Sequence, residues 1–163
     1  MKTLRLVVLV SFVSLLLGAC GDDGDGSQAS VAGGVTEVVR QLLAEASPET
    51  AEGQLLELTR VIIPANESIA PHTHPGPQLA IIVSGTLTYT VIDGEAMVTR
   101  AAAQEGQESL TYTSGETFEL HPGDSITEPT GMVHEAANRT DEAVIIYLSS
   151  LFPEGDPPAM NVQ

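Results

Sequence analysis

Short apolar runs, each closed by turn residues, recur along the chain from residue 35 onward. In the run 86–91, Leu87, Tyr89 and Val91 share one face and threonines share the other, which is the period of a half-buried strand. The run 144–148 is apolar throughout, which predicts a strand covered on both faces. Asp-Gly, Ser-Gly and Pro-Gly pairs at 93–94, 114–115 and 122–123 predict turns between runs. Strands are predicted at 35–43, 55–63, 69–71, 78–84, 86–92, 96–100, 109–113, 117–120, 125–128, 133–138 and 143–149.

One segment allows a second interpretation. Between residues 37 and 46, Val38, Val39, Leu42 and Leu43 lie three and four positions apart, so an amphipathic helix is an alternative to the strand that we prefer there. Residues 101–107 are predicted to be a polar loop that could act as a lid, and the Pro-rich residues 153–163 a C-terminal tail. Many short strands separated by Gly and Pro turns predict an all-β sandwich or barrel.

The N-terminus has the pattern of an export signal. Lys2 and Arg5 precede an apolar run at 6–17, which is too short to span a bilayer and is typical of a secretory signal peptide. The run ends in Leu17-Gly18-Ala19-Cys20, which resembles the lipobox of bacterial lipoproteins and implies lipidation of Cys20. An ordinary secretory signal is the alternative. We therefore predict a lipoprotein signal peptide at 1–19, a flexible acidic tether at 20–34, and a lipid-anchored protein of the cell envelope.

The charge balance narrows the possible partners. The chain has 22 acidic and 6 basic residues and a formal net charge of −16. Because such a field repels phosphate, no nucleic acid partner is expected.

Cys20 is the single cysteine of the sequence, and Lys2 is its single lysine. The mature chain therefore cannot form an internal disulfide or use lysine chemistry.

Three of the four histidines lie in two short constellations. His72-Thr73-His74 puts two imidazoles on the same face of a strand, and a Pro-Gly-Pro turn then leads to Gln78. The second constellation runs from Gly123 through Pro129-Thr130-Gly131 and His134 to Asn138. A Pro-x-Gly turn followed by a strand can place the histidine of that strand in the same cavity as the first two histidines.

These constellations resemble the two motifs of the cupin family. The second matches G-x5-P-x-G-x2-H-x3-N at every fixed position, whereas the first has Asn66 at its opening glycine and Gln78 at its acid. The resemblance implies a jelly-roll barrel (a double-stranded β-helix) over residues 35–152. It also implies a divalent transition metal, Fe, Mn, Ni, Cu or Zn, held by four ligands: His72, His74, Gln78 and His134.

Gln78 has two interpretations. Its amide oxygen is a weaker, uncharged donor than the usual carboxylate, so a site with Gln78 as ligand would retain a formal charge of +2, bind metal less tightly and favour anionic ligands. Alternatively, Gln78 only hydrogen-bonds a metal-bound water. We expect Tyr89 to be a core residue, His121 a loop or rim residue and Asn138 a structural residue.

Three functions are compatible with these features, and no catalytic residue can be assigned. The preferred one is an envelope lipoprotein that binds a divalent metal and a small molecule inside the barrel. The first alternative is a metal-dependent dioxygenase of the quercetinase-like cupin type, which acts on a small organic substrate. The second alternative is a metal-free envelope sensor or partner domain. We also consider a homodimer in which the strand at 35–43 covers a sheet edge of a second subunit.

Overall fold

The computed structural model describes residues 36–101 and 109–162, which belong to one compact unit. The predicted signal peptide, Cys20, the tether and nearly all of the predicted loop at 101–107 lie outside these ranges. Within them, no helix is long and apolar enough to cross a membrane.

Twelve strands make up the described fold. They are Val39–Ala46 (β1), Gln54–Ile63 (β2), Ser68–Thr73 (β3), Gln78–Ser84 (β4), Leu87–Asp93 (β5), Glu95–Thr99 (β6), Ser109–Thr113 (β7), Thr117–Leu120 (β8), Ser125–Glu128 (β9), Val133–Ala137 (β10), Val144–Pro153 (β11) and Met160–Asn161 (β12).

The strands form two antiparallel sheets. One has seven strands in the order β1-β2-β11-β4-β9-β6-β7, and the other has five in the order β12-β3-β10-β5-β8. Buried side chains from both sheets join in one core cluster, which includes Ile63 and Ile82 from the first sheet and Val91 and Leu120 from the second. This is the all-β jelly-roll architecture that the sequence predicts.

Alternation along the strands decides which side chains face the core. Leu87, Tyr89 and Val91 of β5 are buried, as their spacing predicts. In β11, however, Ile145 and Tyr147 are only partly buried. The run is therefore fully covered on its inner face and only partly covered on the outer face of the seven-stranded sheet, so the predicted cover is confirmed in full for one face alone.

Strand β1 resolves the ambiguity between residues 37 and 46. The segment pairs with β2 from Val39 to Ala46, so the helix alternative is wrong and the strand begins and ends later than predicted. All eight of its residues are exposed. The segment is therefore a strand because its backbone pairs with the edge of β2, and the spacing of its apolar residues does not determine its conformation.

The predicted C-terminal tail folds back onto the barrel. Strand β11 continues to Pro153, four residues beyond its predicted end, and β12 pairs antiparallel with β3. Met160 lies opposite Thr73 and Asn161 opposite His72. Strand β12 therefore covers the edge of the five-stranded sheet beside the first histidine pair.

Asn138 connects three parts of the backbone. Its amide nitrogen lies 3.0, 2.9 and 2.7 Å from the carbonyl oxygens of Ile63, Pro64 and Glu142, so its two hydrogens are shared among three acceptors. Its amide oxygen accepts hydrogen bonds from the backbone nitrogen and the hydroxyl of Thr140 at 3.0 and 2.7 Å. The side chain is 1% exposed, and the structure confirms its predicted structural role.

Candidate metal centre

Neighbouring strands of the five-stranded sheet bring the three motif histidines together. His72 lies near the end of β3 and His74 just after it, while His134 on β10 is the cross-strand partner of His72. The ring centroids are 4.2 Å apart for His72 and His134, 4.9 Å for His72 and His74, and 5.2 Å for His74 and His134. One nitrogen from each ring lies within 4.8 Å of the others, and all three residues are buried. Two sequence motifs 60 residues apart therefore converge on one potential metal site.

Backbone carbonyls fix which nitrogen of two of these rings is free. Nδ1 of His72 lies 2.8 Å from the carbonyl oxygen of Ala70, and Nδ1 of His74 lies 2.6 Å from that of Pro158. A carbonyl oxygen can only accept, so each Nδ1 carries the proton and donates it. The lone pair of each ring is then on Nε2, and this arrangement is typical of metal-binding histidines.

Burial keeps two of the imidazoles, those of His74 and His134, in the neutral form that binds metal. Burial first, and the neighbouring His72 second, lower the pKa of His134 to about 3. Burial also lowers the pKa of His74, although Glu128 and the Pro158 carbonyl act in the opposite direction. Nδ1 of His134 is buried and has no hydrogen-bond partner among the described residues. Neutral imidazoles fit a divalent transition metal.

Gln78 lies beside the histidines, but its amide nitrogen faces them. Nε2 of Gln78 is 3.2 Å from Nε2 of His74 and donates to Oε2 of Glu128 at 2.9 Å. Oε1 of Gln78 accepts a hydrogen bond from the Ser150 hydroxyl at 3.2 Å. As oriented, Gln78 therefore presents a hydrogen-bond donor to the site, and its coordination through oxygen stays a prediction.

Glu128 is the polar residue of the site that the sequence analysis missed. It is 4% exposed, and its Oε2 and Oε1 lie 3.5 Å from Nε2 of His74 and 3.8 Å from Nε2 of His134. Tyr89 donates from its hydroxyl to Oε1 of Glu128 at 2.9 Å, so this predicted core residue also contacts the site. The position of Glu128 next to the Pro129-Thr130-Gly131 turn was only a weak sequence signal for a site residue. Glu128 reaches the histidines because β9 pairs with β4.

The site opens into a cavity of about 280 Å³ between the two sheets. The three histidines, Gln78 and Glu128 line its polar part, and Arg40 and Asn161 lie on its border. Its other walls are largely apolar and include Val61, Ile82, Leu87, Ile126, Ile146 and Leu148. A mostly apolar cavity with a few convergent polar groups is typical of a small-molecule site.

The fourth histidine is elsewhere. The side chain of His121 is 55% exposed and lies 3.8 Å from Glu119, so the structure agrees with its predicted position in a loop.

Known proteins resemble this chain in sequence and fold. The cupin domain family profile matches residues 59–103 and 101–150, whereas no curated protein matches. Among solved structures, the polyketide cyclase RemF from Streptomyces resistomycificus is 22% identical with a TM-score of 0.53, covering 80% of this chain and 74% of RemF. A cupin 2 domain-containing protein from Halorhodospira halophila is 12% identical with a TM-score of 0.52, covering 78% and 71%. The DMSP lyase DddQ from Ruegeria pomeroyi is 20% identical with a TM-score of 0.51, covering 77% of this chain and 52% of DddQ. At such identities the structures support the fold alone, and together with the profile match they establish that the chain belongs to the cupin domain family.

Proposed function

We propose that this protein is a lipid-anchored cupin of the cell envelope that binds a divalent transition metal and a small molecule next to it. The observation that carries the proposal is the cluster of His72, His74 and His134, whose ligand atoms lie within 4.8 Å of one another at the cavity. Three imidazoles suit Fe, Mn, Ni, Cu or Zn and leave coordination positions for a ligand. A bound metal would act as a Lewis acid toward an oxygen of that ligand.

The cavity supports a ligand with an apolar body and an oxygen-bearing group. The apolar walls would hold the body, and the histidine end would receive the polar group. Arg40 also lines the cavity, and its guanidinium donates a hydrogen bond to Glu57 at 3.4 Å. The cavity walls would thus bind the ligand and orient its polar group toward the histidines.

Metal analysis of the mature chain, purified without chelator or affinity metal, tests this proposal. We expect near-stoichiometric metal in the wild type and its loss in the double variant His72→Ala/His134→Ala. His121→Ala is the matched control, because it removes an exposed histidine away from the cluster. Absence of metal from the wild type after reloading would refute the metal proposal and favour a metal-free sensor or partner domain.

A metal-dependent dioxygenase is the second candidate, and the position of the histidine cluster beside an apolar cavity favours it. A substrate held in that cavity would lie next to a metal that can also bind dioxygen. Oxygen consumption by the metal-loaded protein with phenolic or diketone substrates tests it. Uptake that depends on His134 would support an enzyme, and no uptake with any of these substrates would favour binding alone.

The envelope location rests on the sequence of the N-terminus. The run Leu17-Gly18-Ala19-Cys20 supports cleavage after residue 19 and lipidation of Cys20. We expect the full-length protein to fractionate with membranes and Cys20→Ala to be released. Retention of the variant in the membrane fraction would refute the anchor.

We infer a homodimer through the outer face of the seven-stranded sheet and not through the strand at 35–43, because β1 pairs with β2 of its own chain. Leu79, Ile81 and Val83 of β4 are 54%, 45% and 48% exposed, and Leu56 and Leu58 of β2 are also exposed. A contiguous exposed apolar face is typical of a protein–protein interface, and we infer that a second copy of this chain covers it. Light scattering should give twice the monomer mass, and Leu79→Asp/Ile81→Asp should give a monomer. A monomeric wild type would refute the inference.

A further inference from the structure

We propose that Glu128 supplies the carboxylate ligand of the metal site, in place of the acid that the cupin pattern expects at Gln78. This inference rests on the proposed metal binding by the three histidines. It assigns the fourth protein ligand to a different strand, β9 instead of β4.

The sheet register makes the exchange possible. Gln78 and Glu128 are direct cross-strand partners in β4 and β9. Both side chains point into the barrel, and the residues are 3% and 4% exposed. Because opposite residues of an antiparallel pair have their Cβ atoms about 5 Å apart, a carboxylate can reach the same site from either position.

The distances favour Glu128 as the ligand. Its Oε2 lies 3.5 Å from Nε2 of His74 and its Oε1 lies 3.8 Å from Nε2 of His134. Two ligand atoms at about 2.1 Å from a common metal would have a similar separation. The carboxylate therefore lies within coordinating range of an ion shared with these two histidines.

Gln78 is committed to another role. Its Oε1 accepts from the Ser150 hydroxyl, and its Nε2 donates to Oε2 of Glu128. Rotating the amide by half a turn would bring its oxygen against the carboxylate, where neither group can donate. Gln78 is therefore a positioning residue that holds Glu128 toward the histidines.

Tyr89 positions the same carboxylate from the other side. Its hydroxyl donates to Oε1 of Glu128 at 2.9 Å, and its ring stacks on His134 with centroids 5.1 Å apart. The hydroxyl is the donor in this contact, because a carboxylate oxygen can only accept. Gln78 and Tyr89 thus each orient one oxygen of Glu128.

The environment of Glu128 gives an independent reason for a cation. A buried acidic side chain costs free energy unless a positive charge compensates it. Among the described residues, the basic side chains within 4 Å of Glu128 are two imidazoles, those of His74 and His134, and no Arg or Lys side chain lies that close. A divalent ion bound by these three side chains would provide the missing charge.

The proposal changes the expected charge of the site. With Gln78 as the fourth ligand, three imidazoles and an amide would leave a formal +2 on the metal group. With Glu128 as ligand, the group carries +1, as in a site of the usual cupin pattern. The weaker metal binding and the preference for anionic ligands expected of a Gln78 ligand therefore do not apply to a site with Glu128 as ligand.

A swap of the two side chains tests the proposal on the mature chain loaded with Co²⁺. We expect Glu128→Gln to weaken Co²⁺ affinity by at least 10-fold in a chelator competition assay and to change the visible absorption of the bound ion. Loss of an outer-sphere partner alone typically costs 10–100-fold, so affinity by itself does not identify a ligand. The double variant Gln78→Glu/Glu128→Gln should recover affinity to within a few-fold, because the carboxylate then approaches from the paired position.

Glu135→Gln is the matched control, since Glu135 follows His134 on the strand but alternates to the opposite face. Thermal unfolding of each variant checks that it is folded. Wild-type affinity and an unchanged Co²⁺ spectrum in Glu128→Gln would overturn the proposal, and so would weakened affinity with an unchanged spectrum. Failure of the wild type to bind Co²⁺ would instead refute the metal proposal, which distinguishes the two failures.

Discussion

Replacing Asn138 by alanine tests whether its hydrogen bonds hold the barrel together. The substitution removes five hydrogen bonds at once. Two of them, to the carbonyls of Ile63 and Pro64, lie entirely within the protein, whereas those to Thr140 and Glu142 are only partly buried. Water can replace the partly buried partners but not the buried ones. The cost is therefore set mainly by the buried carbonyls of Ile63 and Pro64, which both lose this donor, although Pro64 also accepts from the backbone nitrogen of Glu67 at 3.3 Å.

Each buried polar group left without a partner costs about 1–3 kcal/mol. One carbonyl that loses this donor and one that keeps a longer hydrogen bond give an expected loss of about 2 kcal/mol in the free energy of unfolding, a sizeable part of the 5–15 kcal/mol typical of a domain. For a domain of this size the melting temperature should fall by roughly 10 °C. The matched variant Thr140→Ala removes only partly buried bonds, and it should cost less than about 1 kcal/mol.

Urea unfolding followed by circular dichroism measures both variants, in the presence of chelator so that metal binding does not add to stability. The dependence on urea should keep the same slope, since the unfolded surface is unchanged. A loss below about 1 kcal/mol in Asn138→Ala would refute the reasoning. An equal loss in Thr140→Ala would show that the turn matters, and the buried carbonyls would then not be the cause.

Three further predictions follow from other contacts. Burial would raise the pKa of Asp124, but hydrogen bonds from two backbone amides and from Arg100 outweigh it and lower the pKa below 3.8. The ionised form therefore stabilises the fold above pH 3.8, and this stabilisation is lost as the pH falls through the lowered pKa. Between pH 6 and pH 3, the free energy of unfolding of Asp124→Asn should fall less than that of the wild type. Equal losses would contradict this. Deleting residues 158–163 removes the Pro158 carbonyl that accepts from Nδ1 of His74. Metal affinity, measured by competition with a chelator, should therefore fall about 10-fold. Unchanged affinity would show that this contact does not orient the ring. A Cβ at Gly76 would overlap a carbonyl of β11, whereas a Cβ at Gly115 would meet no atom within 4 Å and would cost only the strain of its positive φ of 88°. Gly76→Ala should therefore lower the melting temperature clearly more than Gly115→Ala, and similar melting temperatures would contradict the overlap.

Local patterns were sufficient for most of the fold. The strands at 109–113 and 117–120 lie where their sequence predicts, and the alternation in β5 gives the correct inward face. The last strand, β12, has only two residues and leaves no periodicity to detect. Its existence depends on the open edge of β3, which is a tertiary feature.

The sequence by itself determined the all-β class and the histidines that meet at the site, because period-2 alternation and motif spacing are properties of neighbouring residues. Tertiary structure decided what surrounds those histidines. Glu128 reaches them only because β9 pairs with β4 in a register that puts it opposite Gln78. The Pro158 carbonyl reaches His74 only because the last residues fold back along β3. Contacts between residues 50 and 84 positions apart depend on strand pairing, and no local pattern in the chain encodes them.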